Sequence, residues 1–187
     1  MRTKNIFMIS ILLFSSSICA QMQKDEIITI ETSEGSIVVH LDAKRAPITV
    51  SNFIDLIESD YFNGSIFHRV IENFMIQGGG FDAEMNDLEP LKTIPNESGN
   101  GLSNLRGTIA MARTSDPHSA NAQFFINTKD NRSLNPKSGR WGYAVFGSVI
   151  EGMDVVDKIS KKRTGPKGRF MSDVPIETVL IKNISIE

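Results

Sequence analysis

FHRVIENFMIQGGGF, residues 67–81, sets a histidine, an arginine, a glutamine and three consecutive glycines within a run of large apolar residues. Three readings compete: a catalytic face, a phosphate cradle, or two strands joined by a turn. A cradle would bring the N–H groups of Gly78, Gly79 and Gly80 to an anion, but no Gly-Lys-Ser/Thr follows and no helical pattern starts there. Glycines that let a strand end bend sharply and approach another backbone explain the run more simply. The stretch then consists of strand-like segments at 65–71 and 74–77 with a glycine bend behind them.

Further strand-like segments lie outward of it, at 108–112, 123–128, 143–149 and 179–186, punctuated by Gly, Pro and Asn. Residues 26–42 read as a hairpin: Ile28 and Ile30 alternate with polar neighbours, Ser33-Glu34-Gly35 makes the turn, and Ile37, Val39 and Leu41 resume the alternation. Pro47 opens a helix with Val50, Phe53, Ile54 and Ile57 at i, i+3, i+4 and i+7, ending near Asn63-Gly64. A second helix spans 153–161, with Met153, Val156 and Ile159 along one side. Many short strands and only two helices predict an antiparallel sheet that must close or be capped to hide its edges, most economically as a barrel. Residues 81–106, rich in Asn, Gly and Pro, are too long for an ordinary connection and are expected to form a functional surface loop. The five basic residues between 161 and 169 read as a solvated loop.

At the N-terminus, Arg2 and Lys4 precede an apolar stretch, 6–14, and small residues ending in Cys19-Ala20. This is the pattern of a secretory signal peptide at 1–20, followed by one domain at 21–187. The apolar stretch is about half of the roughly 20 residues that a membrane-crossing helix needs, so stable membrane insertion is not expected. Lipidation of Cys19 is the weaker alternative, since Ile18 stands where such a site wants a small residue. Cys19 is the only cysteine, and cleavage after Ala20 leaves a mature chain that cannot depend on a disulfide. Removing Arg2 and Lys4 leaves 18 basic against 22 acidic residues, a net charge of −4, which argues against nucleic acid as a partner.

His40, His68 and His118 show no metal-ligand spacing, and no Gly-x-Ser-x-Gly elbow is present. His68 could serve as a general base, although a lone strand histidine is more often structural. What remains is Arg69, Gln77 and Gln123 as hydrogen-bonding groups, with Phe74, Met75, Phe125 and Leu134 as apolar ones, a set that names no reaction by itself. In order and spacing, however, FHRVIENFMIQGGGF, NGLSNLRGTIAMART (100–114), AQFFINT (122–128) and GYAVFGSVIEGMDVVDKI (142–159) resemble the cyclophilin family of peptidyl-prolyl cis-trans isomerases. The resemblance covers nearly all of residues 26–187 and, with the leader, is strongest to the exported, periplasmic cyclophilins of Gram-negative bacteria.

The resemblance implies a mainly β fold, a closed eight-stranded antiparallel barrel capped by two α-helices, acting as a monomer on proline-containing polypeptides without a cofactor or metal. Carried over by position, it makes Arg69 the catalytic residue. Phe74, Met75, Phe125 and Leu134 become the proline pocket; His68, Gln77, Ala112, Gln123 and Tyr143 line the groove. A second reading keeps the groove but makes the chain a non-catalytic chaperone that holds unfolded chains. Two positions depart from many relatives: Ser133 replaces an aromatic residue, and Tyr143 stands where animal enzymes have His. Loss of the aromatic at Ser133 implies weak binding of the inhibitor ciclosporin, unless Trp141, in an insertion at 135–141, folds back to replace it.

Overall fold

The computed structural model describes residues 25–89 and 92–187; the expected leader at 1–20 lies outside the described residues. The opening hairpin is formed by β1 (Glu26–Thr32) and β2 (Gly35–Leu41), paired from Glu26–Leu41 to Thr32–Gly35. Ile28, Ile30, Ile37, Val39 and Leu41 all face the core, as their alternation requires. The helix α1 (Pro47–Glu58) follows, then β3 (Arg69–Ile71), β4 (Met75–Gly78), β5 (Thr108–Met111), β6 (Phe124–Asn127) and β7 (Val145–Glu151). After α2 (Met153–Ser160) come β8 (Thr164–Lys167), β9 (Phe170–Pro175) and β10 (Ile181–Ile186).

Eight strands make one antiparallel sheet in the order β10-β1-β2-β7-β5-β6-β4-β3, while β8 and β9 form a separate two-stranded hairpin. The expected closed barrel is therefore corrected to a curled, open half-barrel. Its edges, β10 and β3, approach without a ladder between them. The segment before β3 meets the start of β10 through the single bridge Ile66–Leu180 and through N–H bonds from Phe67 to Val179 and from Ile181 to Ser65. Only three residues of β3 lie in the sheet, too few to carry a continuous seam.

Inside the curl, α1 drives Val50, Phe53 and Ile57 into the core, where the Phe53 ring lies 4.9 Å from Phe62, 5.4 Å from Phe124 and 5.1 Å from Phe146. Pro47 occupies the first turn, and the carboxylate of Glu97, far along the chain, accepts bonds from the N–H groups of Ile48 and Thr49 and from the Thr49 hydroxyl. The helix stops at Glu58, before the expected Asn63-Gly64, because Asp60 turns left-handed (φ 56°) and the Tyr61 N–H closes on the Leu56 carbonyl. Gly152, also left-handed, starts α2, whose Val156 and Ile159 are buried.

Two loops differ from expectation. The basic segment at 161–169 is largely solvent-exposed, as expected, but is not all loop: it contains β8, with Lys162 bonded to Glu34 and Glu177, Lys167 to the Ala83 carbonyl and Thr178, and Arg169 to Asp87. The Asn-rich region at 81–106 contributes buried braces, among them Asn96, Ser98 and Asn104, in addition to the Glu97 cap. The Asn96 amide donates to the carbonyls of Pro117 and Gly142.

Candidate active site

Period-two alternation on β4, β5 and β6 splits their side chains between two faces. Ile76, Ile109, Met111, Phe124 and Ile126 enter the main core. Met75, Ala110 and Phe125 point to the opposite, outer face, where with Val145 they form a second apolar cluster flanked by Ile71, Phe74, Leu102, Ala112, Leu134 and Tyr143. Register places the polar members on that same face: Arg69 stands opposite Gln77, and Gln77 opposite Phe125.

A hollow of about 220 Å³ opens there, lined by Arg69, Phe74, Met75, Gln77, Ala112, Arg113, Phe125, Leu134 and Tyr143. A second hollow of about 190 Å³ shares Gln77, Ala112 and Arg113 with it and continues past Thr114, Ser119, Asn121 and Gln123. The two make one groove that gathers nine of the ten residues expected from the sequence. A larger space of about 380 Å³, lined by His40, Asp42, Arg45 and their neighbours, contains none of them.

The apolar floor is held from beneath. Asn131, buried, donates to the Phe74 carbonyl and to Asn127 Oδ1, each at 2.7 Å, while Asn127 Nδ2 donates to the Thr108 hydroxyl at 2.9 Å. The Leu134 N–H bonds the Asn131 carbonyl, and the Tyr143 N–H bonds the Leu134 carbonyl, which joins the turn carrying Leu134 to the Tyr143 wall. The Phe125 and Tyr143 rings meet edge-on at 5.7 Å. Gln77 Nε2 donates to Gln123 Oε1 at 2.9 Å, so these two amides fix each other. Gly80 makes room for this pair: a Cβ there would lie 2.4 Å from Gln123 Nε2.

His68 is the tenth residue, and it does not line the groove. It is 1% exposed, on the face opposite Arg69, with its ring 4.6 Å from Phe81 and 5.7 Å from Phe170. Burial pushes its pKa down to about 4, and its Nδ1 has no hydrogen-bond partner. This is a neutral structural ring; it is neither a base nor a groove wall. Trp141 does not replace the missing aromatic either. Its ring packs edge-on against His118 at 5.2 Å and is 47% exposed, while Ser133 lies exposed with its carbonyl accepting from Arg140.

Two residues were missed from sequence. Arg113 lines both hollows, with its guanidinium 4.6 Å over the Tyr143 ring and bonded to the carbonyls of Thr114, Trp141 and Gly142. It lay within the GTIAMART motif, beside the expected Ala112. Asp173, on β9, places a carboxylate oxygen 3.8 Å from Arg69 Nε, and no spacing rule ties it to residue 69.

The sequence model of the family described as "Cyclophilin type peptidyl-prolyl cis-trans isomerase/CLD" matches residues 27–183. The chain belongs to the cyclophilin family. Among curated proteins, this cyclophilin is 52% identical over 162 residues to "Peptidyl-prolyl cis-trans isomerase cyp18" of Streptomyces antibioticus, covering 85% of this chain and 97% of that one. It is 50% identical over 163 residues to "Peptidyl-prolyl cis-trans isomerase B" of Escherichia coli, covering 85% and 98%. A crystal structure of a Cryptosporidium parvum cyclophilin type peptidyl-prolyl cis-trans isomerase superposes with a TM-score of 0.70 at 26% identity, covering 88% of this chain and 98% of that one. A structure of the same protein in the presence of the dipeptide Ala-Pro gives 0.69 at 27%, covering 87% and 99%. This cyclophilin is a peptidyl-prolyl cis-trans isomerase.

Proposed function

We propose that the outer-face groove is where the isomerisation takes place, with Arg69 as the catalytic donor and Phe74, Met75, Phe125 and Leu134 as the seat of the proline ring. The observation that carries this reading is the apolar hollow of about 220 Å³ with a fixed amide, Gln77, and two guanidinium groups in its lining, of which Arg113 is tied to three backbone carbonyls and Arg69 makes only an ion pair. The reaction needs little else. It rotates a peptide bond against a barrier of about 18–20 kcal/mol and breaks no covalent bond. As the bond twists, conjugation is lost and the prolyl nitrogen gains lone-pair character, so a donor aimed at it stabilises the transition state more than either planar ground state. A guanidinium suits this role because it stays protonated and presents a rigid fork.

The substrates are proline-containing segments, a class to which the Ala-Pro dipeptide used with the Cryptosporidium relative belongs. Titration with an Ala-Pro-containing peptide, followed by NMR, should perturb Met75, Phe125 and Tyr143 first. Perturbation centred on His40, Asp42 and Arg45 would move the site elsewhere.

The same proposal places the working enzyme, residues 21–187, outside the cytoplasm as a monomeric folding catalyst for exported chains. N-terminal sequencing of the periplasmic protein should begin at Gln21, and an intact Met1 would contradict export with cleavage. An exposed Ser133, with Trp141 turned to His118, leaves ciclosporin without its usual aromatic contact. Inhibition is expected to be weak, and nanomolar potency would contradict this.

A further inference from the structure

A catalytic arginine must be held, because its long side chain otherwise loses rotamer freedom at the moment of reaction. Gln77, which stands opposite Arg69 on the neighbouring strand, donates to Gln123 and not to Arg69. Among the described residues the Arg69 side chain donates no hydrogen bond, and its ion pair is with Asp173, both side chains being a third to two-fifths exposed.

We propose that Asp173 is a positioning residue for Arg69 and that positioning Asp173 is the role of the β8–β9 hairpin. This rests on the assignment of Arg69 as the donor. The separation of 3.8 Å is an ion pair too long for a hydrogen bond, so the carboxylate orients the guanidinium by charge and leaves its N–H groups for substrate.

Backbone conformation supplies an independent observation. Asp173 sits in the left-handed region (φ 68°), which Gly, Asn and Asp visit and most other residues avoid, and this conformation sets the direction of its carboxylate. The hairpin that carries it is held in place: β9 packs against β3, Phe170 packs on His68, and Val174 is buried. Arg169 clamps the turn, bonding Asp87 at 2.7 Å with its guanidinium 4.7 Å over the Phe81 ring. The buried, chemically inert His68 thereby gains a purpose as the anchor of this hairpin on the far face.

The test is isomerisation of an Xaa-Pro peptide by Asp173→Asn, which keeps the size and the tolerance of left-handed backbone but drops the charge. Asp173→Gly, which relieves the backbone as well, should behave alike. The expected loss is about three- to tenfold in kcat at unchanged KM, between what an exposed ion pair contributes and what a misplaced catalytic group costs. In an Arg69→Ala background the same substitution should have almost no effect, because the group it positions is gone. Wild-type kcat in Asp173→Asn, or an equal fractional loss in both backgrounds, would overturn the proposal. The single variant Arg69→Ala separates the two levels. Full activity there removes the assignment of Arg69 itself, whereas a collapsed Arg69→Ala beside an unimpaired Asp173→Asn removes only the positioning role.

Discussion

At the scale of single residues, the outer-face groove depends on which way each side chain of 67–81 points. His68 and Arg69 are adjacent, and extended chain sends them to opposite faces, one buried against Phe81 and Phe170 and the other at the rim of the groove. Period-two alternation separates them in the sequence itself, because His68 shares the side of Val70, a core residue, and Arg69 does not. The buried ring also makes a pH prediction. His68 titrates near 6.5 when unfolded and about 4 when folded, so between those values the unfolded chain binds a proton that the native chain does not. Stability therefore falls as pH drops from about 6.5 to about 4, by on the order of 3 kcal/mol from this residue. Chemical denaturation across that range should show the slope in the wild type and its absence in His68→Leu; parallel curves would refute it. Gly80 offers a second test. Gly80→Ala should fold but displace Gln123 and break its bond with Gln77, raising KM for peptide several-fold, about the effect of one lost polar contact. Truncating Gln123 to Ala in the same chain should abolish the added effect of the Gly80 methyl.

At the scale of elements, the hydrophobic periodicities of β1, β2, α1 and α2 were legible because each buries one face against a single core. The hairpin β8–β9 was not. Thr-Gly-Pro-Lys has no alternation, and β9 buries only Val174 and Pro175 at its end while Met171 is 89% exposed, so neither strand carries a face that a pattern could reveal. Both of its merits, the seat on His68 and the carboxylate beside Arg69, arise from tertiary packing alone. The cap of α1 is similar: Ala46 supplies no side-chain acceptor, and the substitute, Glu97, lies about fifty positions away in a region that reads as a functional loop. Glu97→Ala should cost about 1–2 kcal/mol by urea denaturation, since two helix N–H groups and the buried Thr49 hydroxyl lose their acceptor. Isomerase activity should be unchanged at temperatures where the variant is folded. A stability equal to wild type would show that water replaces the carboxylate.

At the scale of the whole molecule, a curled sheet gives two usable surfaces from one set of strands. The inside is filled by Phe53, Phe62, Phe124 and Phe146, so the outside is where peptide can bind. The eight strands of the main sheet and the outer-face residues Arg69, Phe74, Met75, Gln77, Phe125, Leu134 and Tyr143 could be read from sequence and resemblance. Whether the last seam closes could not, because it depends on how residues 64–67 leave the sheet to meet β10. In the proposed mechanism one guanidinium on this outer face, that of Arg69, performs the catalysis. The most direct measurement is kcat/KM for an Xaa-Pro peptide with wild type and Arg69→Ala, each verified as folded. A fall of roughly 10²–10³ is predicted, the scale of removing one preorganised donor; an unchanged rate would rule out Arg69 as the catalytic donor.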